Sequence, residues 1–468
     1  GKAAYEFVDF LKKAGQRYWQ ILPVGPTGYG DSPYQTFSTF AGNHYMIDLD
    51  LLIEAGLLLP EETVSDWGDD PARADFGKLY ENRLTVLRRA FARFDRTDSS
   101  YCSFLAEEAD WLEDYALFMA LKAHFGGAPW TGWPERLRFR KDEEMEKYRE
   151  LLREEIAFQC FLQYEFFVQW KALRSYAHAN DVWMIGDVPI YVPLDSADVW
   201  ANPHYFQLDA RRFPKSVAGV PPDYFTADGQ LWGNPLYDWS RMRQDGFQWW
   251  LQRLRSAAGI FDVVRIDHFR GIESYWSVPY GEKTARNGYW VKGPGMTLIR
   301  AIKRALPDLH FIAEDLGYMT PEVVALVERS GYPNMKVLEF AFDPREPSDH
   351  LPHNYLHNCV CYTGTHDNET LAQWAAALDE TCSDYAARYL GKSERESLCS
   401  AVIRGGMASV ANLFVAQMQD WLELGAAARM NRPGSMDGCN WVWRMLPGAN
   451  TDALAAHIRE LTALYGRI

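Results

Sequence analysis

The stretch Val263-Val264-Arg265-Ile266-Asp267-His268-Phe269 decides the fold. A short β-branched run ends in an arginine and an aspartate two residues apart, followed by a histidine. Side chains alternate along a strand, so Arg265 and Asp267 share one face at its carboxyl end. In parallel β/α proteins that end opens onto the active site. An aspartate beside a fixed guanidinium is expected to keep a low pKa and stay a nucleophile at neutral pH. Taken alone, the stretch is equally readable as a structural Asp–Arg pair.

Outward from it, short apolar runs predict strands over 18–22, 183–187, 261–267, 311–315, 336–342, 360–365 and 413–418. Amphipathic stretches predict helices over 5–13, 247–257, 297–305, 321–329 and 453–465. Such alternation means β-α-β units and a parallel sheet. Acidic residues close several of the strands, and no dinucleotide fingerprint follows any of them. The expectation is therefore an α/β chain built as a (β/α)8 TIM-type barrel rather than a doubly wound sheet. Residues 1–468 read as one catalytic barrel domain with two insertions. The first, about 50–180, is mostly helical and ends in a long helix whose Leu162, Phe166, Trp170, Leu173 and Ala177 share one buried face. The second, about 190–245, is rich in Pro, Gly, Asp and aromatics and reads as a functional loop over the active site.

Composition narrows the function. Lys+Arg 48 against Asp+Glu 63 gives a net charge of −15, which argues against nucleic acid, anionic membranes and polyanionic substrates. Seven dispersed cysteines with no C-x-x-C read as reduced thiols of a cytoplasmic protein. No apolar run approaches the length of a membrane span. Aromatics make up 15% of the chain, and many lie in Gly- and Pro-rich segments where core packing explains them poorly. Flat apolar faces with polar rims suit sugar rings.

The strand-end pattern recurs. Ile312-Ala313-Glu314-Asp315-Leu316-Gly317 and Cys361-Tyr362-Thr363-Gly364-Thr365-His366-Asp367-Asn368 each place an acid after a short apolar run. Glu314 follows Asp267 by 47 residues and Asp367 follows Glu314 by 53, spacings of one and two β/α steps. Asp187, in Gly186-Asp187-Val188-Pro189, ends a fourth strand. A metal cage is not expected, because the cluster has neither H-E-x-x-H nor a D-x-D-x-D-G loop. Gly391-Lys392-Ser393 looks like the tail of a P-loop, but Ala386 stands where the motif needs glycine. No cofactor is implied. Two carboxylates and an arginine suit glycoside chemistry, in which one acid attacks while another donates and then accepts a proton. By environment Asp267 is the candidate nucleophile and Glu314, after an apolar run, the candidate acid. Asp367, with His366, is then placed to hold ring hydroxyls as charge develops.

At this point the chain resembles the 4-α-glucanotransferases known as amylomaltase or disproportionating enzyme, relatives of the α-amylase barrels. The blocks that carry the resemblance begin with Trp19-Gln20-Ile21-Leu22-Pro23-Val24-Gly25-Pro26-Thr27-Gly28, Asp31-Ser32-Pro33-Tyr34-Gln35 and Phe40-Ala41-Gly42-Asn43. They continue through the Asp187 block, Ala218-Gly219-Val220-Pro221-Pro222-Asp223-Tyr224-Phe225, Gly229-Gln230-Leu231-Trp232-Gly233-Asn234-Pro235 and Arg265-Ile266-Asp267-His268-Phe269. Ala313-Glu314-Asp315, Thr365-His366-Asp367-Asn368, Arg429-Met430-Asn431 and Asn440-Trp441-Val442-Trp443-Arg444 follow in order. The resemblance implies Asp267 as nucleophile, Glu314 as acid/base and Asp367 as transition-state stabiliser. It also implies a donor-sugar site lined by Arg265, His268, His366, Asp187, Tyr34 and Trp232, with Tyr224 and Phe225 on a loop over the cleft. An aromatic lid of that kind favours a sugar acceptor over water.

The implied reaction moves α-1,4-glucan segments from a maltodextrin or starch-type donor to glucose or another maltodextrin, by a two-step retaining route. An α-glucan hydrolase and a non-catalytic glucan-binding protein are the alternatives. One departure stands out. The family usually has a first barrel strand ahead of a Gly-x-x-x-x-x-Phe helix, whereas this chain opens in that helix at Gly1-Lys2-Ala3-Ala4-Tyr5-Glu6-Phe7. The expectation is a barrel whose first strand is missing or which closes another way, with two exposed edges, a cleft in its core and lowered stability.

Overall fold

The computed structural model describes residues 1–28, 30–222, 226–435 and 438–468. Among these, eleven strands form two sheets: β1 (Tyr18–Gln20), β2 (Trp183–Pro189), β3 (Ser216–Val220), β4 (Gln230–Pro235), β5 (Val263–Asp267), β6 (Ser274–Pro279), β7 (Tyr289–Lys292), β8 (His310–Ala313), β9 (Asn334–Val337), β10 (Cys359–Tyr362) and β11 (Leu413–Val415). Seven of them are parallel, in the order β1-β2-β5-β8-β9-β10-β11. The sheet curls. Tyr362 of β10 donates to Gln20 of β1 at 3.0 Å, although four strands separate them in the order. Ile185, Ile312, Met335, Val337, Val360 and Tyr362, from four strands, pack together inside the curl. This is a nearly closed barrel of the (β/α)8 type with seven strands. Among the described residues, β1 and β11 pair with one neighbour each. Between these edges lies a cavity of about 1060 Å³, lined by Tyr18, Trp19, Leu413 and Phe414 and reaching Arg265 and His366.

The helices alternate with the strands as the periodicity predicts, over Lys2–Lys13, Gln248–Ile260, Met296–Ala305, Pro321–Ser330 and Asp452–Leu464. The first and last pack together through Val8, Phe10, Leu11, Ala455 and Ile458. The earlier insertion carries helices Phe76–Arg93, Ser99–Glu107, Ala109–His124, Asp142–Leu151 and the 27-residue Arg153–Ala179. In the last of these Leu162, Phe166, Leu173 and Ala177 are buried. Trp170 is only half-buried, and its indole N–H donates to the Ile260 carbonyl at 3.1 Å.

The strands expected over 18–22, 360–365 and 413–418 end early, at Gln20, Tyr362 and Val415, and three further expectations need correction. The 190–245 segment is not all loop: β3 and β4 lie within it and join β6 and β7 in an antiparallel sheet ordered β4-β3-β6-β7. Its strands were hard to read because a register shift between Val217 and Gly219 breaks the alternation. The strand expected over 336–342 ends at Val337 and continues as a 3-10 turn, Leu338–Phe340. That expected over 311–315 ends at Ala313, so Glu314 and Asp315 sit in the loop above it.

Candidate active site

Strand β5 delivers Arg265 and Asp267 to one face, as alternation requires. Arg265 is the hub. Its Nη1 donates to Asp187 Oδ2 at 2.6 Å and to Asp267 Oδ1 at 3.0 Å, and its Nε reaches Met335 Sδ at 3.3 Å. The side chains of Arg265 and Asp187 are 4% and 2% exposed, whereas Asp267 keeps 28% open to the cleft. The parallel register sets Asp187 directly beside Arg265 across the β2–β5 pair, which is why the two meet.

Glu314 faces the same mouth. Its Oε2 accepts from the His268 main-chain N–H and its Oε1 from that of Leu316, both at 2.7 Å. His268 adopts a left-handed φ of 53°, a conformation that L side chains rarely take, and this turns the chain sharply at the end of β5. Neighbouring Asp315 is turned the other way. It accepts from Met335 N and Asn334 Nδ2, tying the end of β8 to β9.

Asp367 lies on the turn after β10, held by Asn368, whose Oδ1 accepts from both Thr365 N and Thr365 Oγ1. The carboxylate of Asp367 accepts from Asn431 Nδ2 at 2.6 Å and stands 3.3 Å from His366 Nε2. Arg429 Nη2 donates to the Asp367 carbonyl at 2.8 Å. Tyr34 comes from a loop, donating to Asp187 Oδ2 at 2.6 Å and stacking on His366 with ring centres 5.0 Å apart. Trp232, on β4, meets His268 edge-on at 4.7 Å.

The site thus brings together Tyr34, Asp187, Trp232, Arg265, Asp267, His268, Glu314, His366 and Asp367. Tyr224 and Phe225 lie outside the described residues. Three neighbours were not singled out from the sequence as site residues: Asn431, Arg429 and Trp441, the last 5.8 Å from both Tyr34 and His366 by ring centres. Their only signal was membership of two late motif blocks.

Electrostatics refine the expected roles. Burial raises Glu314, with Arg265 and the two N–H donors pulling the other way. The low pKa expected for Asp267 is corrected. Burial drives it well above the usual carboxylate range, Asp187, Glu314 and Asp367 add to the rise, and Arg265 is the opposing force. Arg265 therefore keeps Asp267 ionisable rather than making it a strong acid. Burial lowers His268 to about 3 and lowers His366 as well, so both rings are neutral hydrogen-bonding groups. One oxygen of Asp187, Oδ1, is buried without a partner.

Known proteins resemble the chain along its whole length. The family described as 4-alpha-glucanotransferase matches residues 1–450. A 4-alpha-glucanotransferase of Clostridium butyricum is 48% identical over all of this chain and 96% of its own length. That of Thermus thermophilus is also 48% identical, over all of this chain and 95% of its own. Among solved structures, an amylomaltase from Streptococcus agalactiae in complex with acarbose superposes with a TM-score of 0.97 at 40% identity, covering 100% of this chain and 95% of that one. With its curled parallel sheet, its acids at the strand ends and this likeness along its whole length, the chain belongs to the 4-alpha-glucanotransferase family.

Proposed function

We propose that Asp267 is the nucleophile, Glu314 the acid/base and Asp367 the transition-state stabiliser of a retaining transfer of α-1,4-glucan segments. In the first step an Asp267 carboxylate oxygen bonds to the anomeric carbon as the glycosidic C–O bond breaks, and Glu314 gives its proton to the leaving 4-oxygen. In the second step Glu314 takes the proton from the 4-hydroxyl of an acceptor glucan, whose oxygen displaces Asp267. Two inversions restore the α configuration. Asp367 faces the ring hydroxyls and strengthens its hold as positive charge develops. Tyr34, Asp187, Arg265, His268, His366 and Trp232 form the donor-sugar site, with Trp232 offering an aromatic face to a ring.

The observation that carries this reading is the division of labour around Arg265. One acid is paired with the guanidinium and open to the cleft, while the other is buried between two N–H donors. The open carboxylate is placed to attack the anomeric carbon, and the clamped carboxyl is placed to exchange a proton with the glycosidic oxygen. The acarbose bound by the Streptococcus agalactiae relative supports an oligosaccharide of the α-glucan class as ligand. Maltodextrins, starch-type glucans and glucose are the proposed substrates, handled by one catalytic unit spanning 1–468 whose 190–245 insertion covers the site. Seven dispersed cysteines with no C-x-x-C support a cytoplasmic setting.

Maltotriose tests the reaction: longer oligomers plus glucose are expected, and shorter sugars alone would favour hydrolysis. Asp267→Ala is expected to abolish transfer while sparing maltodextrin binding. Retained turnover in that variant would remove Asp267 from the role.

A further inference from the structure

The turn that carries Asp367 rests on an acid for which the proposed chemistry has no use. Gly364 lies at the foot of that turn, and a Cβ placed on it would fall 2.6 Å from Glu339 Oε1 and 3.2 Å from Gln417 Nε2. Glu339 therefore packs directly beneath residues 364–368. It is presented by the 3-10 turn Leu338–Phe340, where its own N–H donates to the Thr363 carbonyl and its carbonyl accepts from Trp374 Nε1. Its Oε1 is shut off from solvent and has no hydrogen-bond partner, and the same is true of Gln417 Nε2.

Three charged groups face this carboxyl from three directions. Asp420 comes from the short helix after β11, where it accepts from Thr363 Oγ1 at 2.6 Å and from Leu371 N at 2.8 Å. Glu369, just past the Asp367 turn, offers its main-chain N–H to Glu339. Among the described residues Arg429 is the cation facing it, and it is already engaged, donating to the Asp367 carbonyl at 2.8 Å and to Glu369 Oε1 at 3.4 Å. Burial, with Asp420 and Glu369 adding to it, pushes Glu339 up to about 9, and burial raises Asp420 to about 6. Glu339 is thus uncharged at neutral pH, and Arg429 answers to Asp367 and Glu369.

We infer that Glu339 is a positioning residue: neutral, it leaves Arg429 holding the Asp367 main chain, and ionised, it draws Arg429 off and shifts the Asp367 carboxylate away from the reacting ring. An ionised Glu339 also repels Asp420 and Glu369, the groups that anchor both sides of the turn. The inference rests on the reading of Asp367 as the stabilising acid.

The test uses maltotriosyl fluoride as donor. Its C–F bond breaks as the Asp267 oxygen bonds to the anomeric carbon, and fluoride departs with little help from an acid. The alkaline loss of the Glu314 proton then no longer limits the first step. Fluoride release in the first turnover, at saturating donor, is expected to fall about tenfold for each pH unit above the ionisation of Glu339 in the wild type. The donor concentration for half-saturation is expected to change much less. In Glu339→Gln the rate is expected to stay level across the same range, relative to its own neutral value. Glu339→Ala, which leaves a void under Gly364, is expected to be slower at every pH. An alkaline fall in Glu339→Gln matching that of the wild type overturns the inference. Asp367→Ala separates this from the underlying reading: if it releases fluoride as fast as the wild type, the role of Asp367 fails. If it is slow while Glu339→Gln tracks the wild type, only the role of Glu339 fails.

Discussion

The main-chain N–H of His268 donates to Glu314 Oε2 at 2.7 Å, so the residue directly after Asp267 clamps the carboxyl that faces it. Asp267 and Glu314 are thus linked through the one peptide unit that joins Asp267 to His268. The Leu316 N–H holds the second oxygen, leaving the carboxyl little freedom to rotate. Two acids at the ends of neighbouring strands are in this way fixed relative to each other by backbone, the least mobile part of the site.

Glu314→Gln is expected to lower transfer from maltotriose by about 10²–10⁴-fold, the usual worth of a placed acid/base. The amide also puts an NH₂ group where one of the two N–H donors now finds an oxygen. The pH course follows from the upward shift of Glu314: the protonated form persists toward neutral pH, and the first step slows as pH rises through the raised value. Initial rates of glucose release against pH check both points. A wild-type rate in the variant would remove Glu314 from the mechanism.

Arg265→Met removes the one force that opposes the upward push on Asp267. Asp267 must be ionised to attack, so the acid limb of the pH–rate profile is expected to move to higher pH. Arg265→Lys, which keeps the charge but not the planar donor set, is expected to move it less. Should the methionine variant fold poorly, the lysine variant still decides the matter. An acid limb unchanged in both would show that Arg265 does not govern Asp267.

How much of this was legible follows from which interactions are local. The ends of β5, β8 and β10 were readable because each is a short apolar run with an acid at its end or on the turn after it, and the parallel register then brings Asp187 beside Arg265 without further information. The antiparallel sheet was not: the Gly-containing Ser216–Val220 and Gln230–Pro235 pair across a bulge and lack clean alternation. Asn431 approaches Asp367 from 64 residues downstream, by a path that no periodicity announces. The same holds for the acidity of Asp267. Its strand neighbour argued for a low value, and the opposing charges come from β2, the loop after β8 and the turn after β10, which only the fold assembles.

Tyr34→Phe deletes the 2.6 Å hydrogen bond to Asp187 Oδ2. Oδ1 of the same aspartate is already buried without a partner, so the change leaves that carboxylate relying on Arg265. Loss of a hydrogen bond to a charged group costs about 1.5–3 kcal/mol, roughly a ten- to hundredfold change in an equilibrium. Because Tyr34 also stacks on His366, the effect is expected mainly in donor affinity, read as the KM for maltodextrin, with the chemical step less affected. A kcat defect with unchanged KM would place Tyr34 in the chemistry instead.

Glu165 provides a stability test remote from the site. It lies on the helix Arg153–Ala179, is 7% exposed, and burial raises it to about 7. The unfolded chain releases this proton near the ordinary glutamate value, so between that value and about 7 the folded state holds the extra proton. Stability is therefore full at the acid end, falls as pH rises through this window, and levels off above it. The penalty at pH 8 is at most about 3.5 kcal/mol, because each tenfold weakening of an acid is worth about 1.4 kcal/mol. Glu165→Gln carries no charge at any pH and escapes it. Its unfolding midpoint is expected to exceed that of the wild type at pH 8, with the gap closing toward pH 5. Thermal unfolding of the two proteins at both pH values checks this, and a gap that does not change with pH would mean that Glu165 ionises freely in the fold.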